Sequence, residues 1–231
     1  MYPFYFKMRN FVLMATTQQL YDTTQFLINK YDGSFMDNTE FLQAYNLASY
    51  DYFRYLTDMA YAMMTRTGVY STPTNSDNQV AEALSPFAVY EASLTTPFSK
   101  PSDYGRTVYL KIGYDTTTQV NAKFAYRVEL TELDNKINNP IDVPIAEEPI
   151  YTEINGKFLI YPLDPSGVWL TYYKKPVKQT AVDSTTVEWN DTQVNNILFR
   201  ILSYLGINLK DANLIQFGNL KKSDSWQEDK Q

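Results

Sequence analysis

Apolar residues recur every three or four positions near both ends of the chain, and they alternate with polar residues in the middle. Near the N-terminus, Thr16 and Gln19 have the spacing of a helix capping box. Asp37 and Glu40 repeat that spacing before the longest helical pattern, which we expect to end near Gly68. The apolar stripe of this pattern is Phe41, Tyr45, Ala48, Tyr52, Tyr55, Met59 and Met63. The pattern predicts two helices, and the stripe predicts a packing face that is buried in the core or in a subunit interface.

A second pair of helices is predicted near the C-terminus. Asn190 and Gln193 again have the capping spacing, and Gly206 is a suitable helix end. The apolar stripe between them is Val194, Ile197, Leu198, Ile201 and Leu205. A short helix is expected over residues 209–221. Because amphipathic helices cannot bury their faces alone, we expect the two pairs to pack together in one bundle.

The middle of the chain reads as β structure. Residues 68–85 are rich in Ser, Thr, Pro and Asn and predict a linker. Strands are expected over residues 87–94, 106–114 and 121–130, followed by a helical turn or short helix over residues 131–139.

The next segment predicts a β-hairpin around Asn155 and Gly156, a dipeptide that accepts positive φ at both positions. With a two-residue turn there, Glu153 faces Phe158 across the ladder. Thr152 then faces Leu159, and Tyr151 faces Ile160. Pro162 should stop the second strand, and residues 168–173 should add a third strand to form an antiparallel meander.

These elements predict an α+β fold, in which a discontinuous helical bundle carries an inserted, mostly antiparallel β domain. The expected divisions are an N-terminal arm over residues 1–15, a helical part with its linker over 16–85, the β domain over 86–178, C-terminal helices over 179–222 and a tail over 223–231.

The amino-acid composition excludes most of the common enzyme mechanisms. The chain has 231 residues with no cysteine and no histidine, so it has no disulfide, no thiolate nucleophile and no histidine-based triad. The sequence predicts a protein that is not an enzyme, with no metal and no cofactor, and a carboxylate-dependent hydrolase is the enzymatic alternative that stays open. The net charge of −6 weighs against a nucleic-acid-binding surface, and no apolar run is long enough for a membrane span.

Two polar clusters could suggest chemistry. Glu147 and Glu148 are adjacent carboxylates, but a glycosidase needs two carboxylates on opposite sides of a sugar, so a solvated turn is the better interpretation. Residues 172–175 mix tyrosine with lysine, as single-strand binders do. In an acidic protein, one such cluster more often marks a strand end that reaches solvent.

The chain resembles the head-to-tail connector proteins of tailed bacteriophages, and most closely the adaptor or ring proteins of crAss-like podoviruses. The resemblance covers residues 16–222 in architecture, and its sequence signals lie within residues 101–176. They are Pro101-Ser102-Asp103-Tyr104, Glu132-Leu133, Asn139-Pro140, Pro149-Ile150-Tyr151, Ile160-Tyr161-Pro162 and Trp169-Leu170-Thr171-Tyr172-Tyr173-Lys174-Lys175-Pro176. All are structural signatures without a chemical motif.

The resemblance implies a virion protein, assembled in the host bacterial cytoplasm, that forms a ring of twelve copies below the portal. DNA would pass through the ring without sequence-specific binding, and the next neck or tail ring would dock on it. The C-terminal segment would bind the portal, which makes Phe217, Lys221, Lys222 and Trp226 candidate interface residues. Tyr151, Tyr161, Trp169, Tyr172 and Tyr173 are candidate packing or interface residues of the β domain.

A second hypothesis is a carbohydrate-binding or tail-associated β module that recognises host glycans. Its basis is the content of 20 tyrosines and 3 tryptophans, since aromatic rings with polar tips suit sugar-binding faces. Under this hypothesis Trp169 and several tyrosines should line one exposed platform. Under the connector hypothesis they should pack in the sheet or between subunits.

Overall fold

The computed structural model describes residues 15–31, 35–66, 75–114, 121–141 and 143–206. These residues form helices together with two β-sheets, so the predicted α+β class is confirmed. The chain divides into two compact units. One combines Met1–Pro86 with Pro176–Gln231, and the other is Phe87–Lys175.

Within the described ranges, the helices are α1 (Thr17–Tyr31), α2 (Asn38–Arg66), α3 (Asn75–Leu84), α4 (Leu130–Asn138) and α5 (Asp191–Tyr204). The strands are β1 (Ala88–Leu94), β2 (Tyr104–Gly113), β3 (Lys123–Phe124), β4 (Tyr126–Arg127), β5 (Ile150–Ile154), β6 (Lys157–Tyr161) and β7 (Gly167–Lys174). Of these described elements, the first unit contains only helices, and the second holds all seven strands and α4. We call them the helical unit and the β unit.

Both predicted capping boxes at the N-terminal helices are confirmed. The Gln19 backbone N–H donates to Thr16 Oγ1 at 3.2 Å, and the Thr16 N–H donates to Gln19 Oε1 at 3.0 Å. At α2, the Glu40 N–H donates to Asp37 Oδ1 at 2.7 Å, and the reciprocal bond measures 3.2 Å. Each box satisfies backbone donors that the first turn of a helix leaves without a partner.

Most of the predicted stripe on α2 is buried against neighbouring helices. Phe41 and Ala48 are fully buried, and Tyr45 is 2% exposed. Tyr55 is an exception because it is 50% exposed, and the neighbouring Leu56 enters the core in its place. Tyr55 is therefore not a core residue, since the drift of an α-helix moves a long stripe around its axis. The alternative that this part of the stripe lies in a subunit interface stays a prediction.

The segments of the helical unit that precede and follow the β unit meet at Trp189, which is fully buried. Its indole N–H donates to Ser49 Oγ at 2.7 Å, and its ring centroid lies 5.2 Å from that of Tyr52. Helix α5 follows directly and packs along α2, as the sequence predicts. Gly206, with φ of +75°, ends α5 in a conformation that few other residues adopt.

Asn190 does not cap α5 with its side chain, contrary to its predicted role. No cap bond forms from that side chain, and its Nδ2 instead donates to the Glu82 carbonyl at 3.3 Å. The predicted short helix over residues 209–221 lies outside the described residues, as do residues 1–14 of the predicted arm and the whole tail.

The predicted linker over residues 68–85 is partly wrong, because α3 occupies its second half. Val80, Ala83 and Leu84 are buried. They have the spacing of one helix face, a signal that the Ser- and Asn-rich composition masks.

The β unit contains two sheets with strand orders β1-β7-β2-β3 and β4-β5-β6. The predicted meander is therefore wrong. Strand β7 does not continue the β5–β6 hairpin; it lies between β1 and β2 and pairs antiparallel with both. The predicted strand over residues 121–130 is also wrong. It breaks into the two-residue strands β3 and β4, which belong to different sheets, and Leu130 already begins α4.

The hairpin itself is confirmed with its register. Glu153 pairs with Phe158, Thr152 with Leu159 and Tyr151 with Ile160. The turn residues have the expected positive φ, 48° at Asn155 and 74° at Gly156. Pro162 follows directly after the last residue of β6, so the predicted stop is also confirmed.

The core of the β unit draws on both sheets. Leu110 and Ile112 of β2 and Val168 and Leu170 of β7 pack in one buried cluster with the hairpin. The hairpin contributes Tyr151, Phe158 and Ile160 to that cluster.

Strand β1 is an edge strand of the first sheet, β1-β7-β2-β3, and carries a β-bulge. Its register with β7 shifts between Val89 and Ala92, and Glu91 at the bulge has φ of 49°. The freed Glu91 N–H donates to the buried Thr171 Oγ1 at 3.0 Å. The Glu91 carboxylate accepts from Lys111 Nζ on β2 at 2.5 Å.

Candidate functional site

Three of the candidate aromatic residues of the β domain lie in its interior. Tyr151 is 5% exposed, Trp169 6% and Tyr172 4%. The Tyr151 ring meets Phe158 edge-on at 6.0 Å, and the Trp169 ring covers Gly167. These three side chains pack inside the unit.

Tyr161 and Tyr173 are half-buried at strand ends. The other candidate set, Phe217, Lys221, Lys222 and Trp226, lies outside the described residues.

The most elaborate polar arrangement of the β unit surrounds Glu153 on β5. Lys100 Nζ donates to its Oε2 at 2.5 Å, and the Tyr104 hydroxyl donates to the same oxygen at 3.2 Å. Thr107 Oγ1 donates to Oε1 at 3.1 Å. We call these four residues the Glu153 cluster. It connects β5 of the second sheet to β2 of the first and to the loop before β2.

The lysine of the cluster also lies over two aromatic rings. Lys100 Nζ is 4.4 Å from the ring centroid of Tyr104 and 5.6 Å from that of Phe158. Cations are attracted to the negative faces of such rings. The Lys100 and Glu153 side chains are only 20% and 15% exposed, so the ion pair is shielded from solvent screening.

The electrostatics keep the cluster in its charged form. Burial raises the pKa of Glu153, but the hydrogen bond and charge of Lys100, with Arg127 and Thr107, bring the pKa below its ordinary value. Burial raises the pKa of Tyr104, and the Thr107 hydrogen bond opposes this effect. At neutral pH the carboxylate is therefore ionised and the phenol is neutral. A carboxylate in this state cannot donate a proton, so the arrangement suits a structural tie between sheets and does not suit acid catalysis.

The cluster was not predicted, because Glu153 lies 46 to 53 residues after its three donors in the sequence. A signal exists at Glu153, a charged residue in a strand whose neighbours are apolar or β-branched. Charged side chains at such positions are rarely buried unless they are paired.

The predicted solvent-exposed turn is found where expected. Glu147 and Glu148 are both exposed, next to a bridge between Ile145 and Glu148. Neither residue belongs to the Glu153 cluster.

The exposed surface of the helical unit carries large apolar side chains that sequence reasoning missed. On α2, Leu47 is 48% exposed and Tyr50 47%, at a spacing that puts them on one face. Phe26 on α1 is 66% exposed, and Phe35 before α2 is 77% exposed. The Met36 N–H donates to Gln25 Oε1 at 3.0 Å, which ties the segment of Phe35 to the helix of Phe26.

The β unit also exposes aromatic rings, but in a different setting. Tyr90 is 71% exposed, Phe124 58% and Tyr126 65%. Phe124 meets Tyr109 edge-on at 5.3 Å, and Lys111 Nζ lies 5.2 Å from the Phe124 centroid. The three rings lie on β1, β3 and β4, and exposed apolar side chains scattered in this way are common on protein surfaces.

The described part of the chain shows no group of His, Cys, Asp or Glu side chains arranged to hold a metal ion. In the same part of the chain, no helix is both long and apolar enough to cross a membrane. Comparison with protein-family models gives no match, and comparison with curated proteins gives none either.

Proposed function

We propose that the chain is a structural virion protein that forms a ring in the head-to-tail connector of a tailed bacteriophage. The ring lies below the portal, leaves a channel for DNA and offers a platform to the next neck or tail protein. One observation carries this proposal: both ends of the chain build the helical unit, and the β unit is inserted between them. This is the architecture that the resemblance to connector proteins implies.

Two further observations support the proposal. The exposed Phe26, Phe35, Leu47 and Tyr50 supply apolar surface for contact between subunits or with a neighbouring ring. The net charge of −6 would let DNA slide through a channel without binding tightly to its wall.

The position of Trp169 separates the proposal from its rival. A glycan-binding platform built on Trp169 needs an exposed indole, whereas this one is 6% exposed and packs over Gly167. Burial of this ring, with Tyr151 and Tyr172, favours a packing role.

The test is to mix the purified full chain with the portal ring of the same phage and to image the product by electron microscopy. We expect one symmetric collar on the portal or on a neighbouring neck ring. Failure to decorate either ring would contradict the proposal. The variant Tyr50→Ser should weaken collar formation if the exposed face of α2 is an interface. The matched change Phe199→Ser, at a ring on α5 that is 43% exposed, controls for loss of an exposed aromatic ring.

A glycan array covers the rival hypothesis. Reproducible binding of the same preparation to one sugar class would overturn the account of the chain as a connector alone.

A further inference from the structure

The Glu153 cluster joins parts of the β unit that the backbone connects weakly. Beyond its side chains, the turn end of the β5–β6 hairpin contacts the loop before β2 through two backbone bonds. The Phe158 N–H donates to the Phe98 carbonyl at 3.0 Å, and the Lys100 N–H donates to the Gly156 carbonyl at 2.9 Å. Glu153 lies in the same region and receives donors from both the loop and β2.

We propose that the Glu153 cluster is an acid-released latch, which holds the turn end of the hairpin on the first sheet while Glu153 is ionised and frees it when Glu153 is protonated. The inference rests on the geometry of the β unit and is independent of the proposed function.

The latch works because all three donors point at one carboxylate. Protonation removes the charge that attracts Lys100 and turns one acceptor oxygen into a hydroxyl. Lys100 would then lie above the Tyr104 and Phe158 rings without its counter-ion. A shielded cation that loses its partner is strongly destabilising, so the released state lets Lys100 move into water.

The groups that face Glu153 come from several elements. Lys100 belongs to the loop before β2, Tyr104 to β2 and Arg127 to β4. Asp103 lies one step further away, bonded to the Tyr172 hydroxyl whose ring stacks on Tyr104 at 5.9 Å. Of the facing groups, the two cations favour the ionised carboxylate, and the neutral phenol does so by donating a hydrogen bond.

The sign of the pH effect follows from this set. The pKa of Glu153 is lower in the folded chain than its ordinary value, so the latch is complete above the ordinary pKa of a glutamate. Its contribution is lost as pH falls from that value through the folded pKa. Each unit by which folding lowers the pKa corresponds to about a tenfold change in the opening equilibrium.

The test is hydrogen–deuterium exchange of the full chain as a function of pH, corrected for the intrinsic exchange rate. The amides of Lys100 and Phe158 report directly on the latch. We expect their protection to fall by about tenfold per unit of pKa lowering as the solution is acidified. Amides in the centre of β7 should keep their protection over the same range.

Matched variants separate the latch from general acid sensitivity. In Glu153→Gln the two amides should be less protected at neutral pH, and their step on acidification should disappear. In Glu91→Gln the step should remain, although Glu91 has an ion pair of the same 2.5 Å length with Lys111. Asp103→Asn controls in the same way for the second carboxylate near the cluster.

The result that overturns the proposal is a flat profile in the wild-type chain, or an unchanged step in Glu153→Gln. If Glu153→Gln fails to fold, Thr107→Val provides the same test, because it removes one donor and should move the step to higher pH. A step that stays at the same pH in Thr107→Val would also refute the latch.

Discussion

Different interactions stabilise the interior of the helical unit and the interior of the β unit. In the helical unit, the buried ring of Trp189 joins the C-terminal segment to α2 through a hydrogen bond to Ser49 and contact with Tyr52. In the β unit, an apolar core between two sheets is supplemented by an ion pair with its own set of donors. The stability of the helical unit depends on the packing and the buried area of apolar side chains. The stability of the β unit also depends on an ion pair. The two units should therefore respond differently to truncation and to pH.

The largest effect on stability is expected when an apolar ring is removed from the helical unit. Trp189→Ala takes a fully buried indole from the helical unit and leaves Ser49 without its donor. We expect a loss of about 3–5 kcal/mol in the free energy of unfolding. Urea denaturation measures the loss, and hydrogen exchange shows where it acts.

The exchange data should show α2 and α5 losing protection more than β2 and β7. Trp189→Phe is the matched control, because it keeps much of the volume and removes the hydrogen bond. Equal loss of protection in both units would show that they unfold together and would remove the contrast between them.

A smaller effect is expected from overpacking the β unit. An added Cβ at Gly167 would lie 2.5 Å from the Cη2 atom of the Trp169 ring. Gly167→Ala should therefore cost about 1–3 kcal/mol in the free energy of unfolding. The effect should appear in β7 and its neighbours and leave α5 unchanged.

The same change in a Trp169→Leu background forms a double-mutant cycle. The smaller side chain should relieve most of the clash, so the cost of Gly167→Ala should shrink. A cost that is the same in both backgrounds would place its origin in the backbone and not in contact with the ring.

The smallest effect concerns alkaline pH. Burial, the hydrogen bond to Asp103 and the negative charge of Asp103 raise the pKa of Tyr172 to about 12. A raised pKa favours the neutral phenol in the folded chain, so its contribution is present below the ordinary pKa of tyrosine and is lost as pH rises toward 12. Tyr172→Phe should flatten part of this decline in denaturation curves. It should also cost about 1 kcal/mol at neutral pH through the lost hydrogen bond. An identical alkaline profile would show that Tyr172 does not ionise late.

Signals between residues close in sequence predicted the helices and the hairpin better than they predicted which strands pair in a sheet. The capping boxes at Thr16 and Asp37 and the turn at Asn155-Gly156 depend on residues close in sequence, and all three are confirmed. The position of β7 depends on pairing with residues 88–94 and 104–113, far back in the chain. Nothing near β7 specifies those partners.

A clue to the position of β7 is nevertheless present in its sequence. Residues 168–172 (Val-Trp-Leu-Thr-Tyr) show no alternation of apolar and charged side chains, and all of them are buried, including Thr171. A strand buried on both faces is typical of the centre of a sheet, whereas the last strand of a meander should alternate. The Glu153 cluster gave a weaker signal, because a single charged residue in a strand does not indicate which donors will reach it.

The bulge in β1 has a consequence for the behaviour of the chain at high concentration. An edge strand with regular backbone geometry is a template to which a strand of another molecule can add, and aggregation commonly begins in this way. At Glu91 the backbone twists out of that geometry, its N–H turns to Thr171, and its carboxylate is held by Lys111. An incoming strand would meet an interrupted ladder beside a fixed charge. The bulge should therefore hinder the addition of a further strand to the sheet along β1.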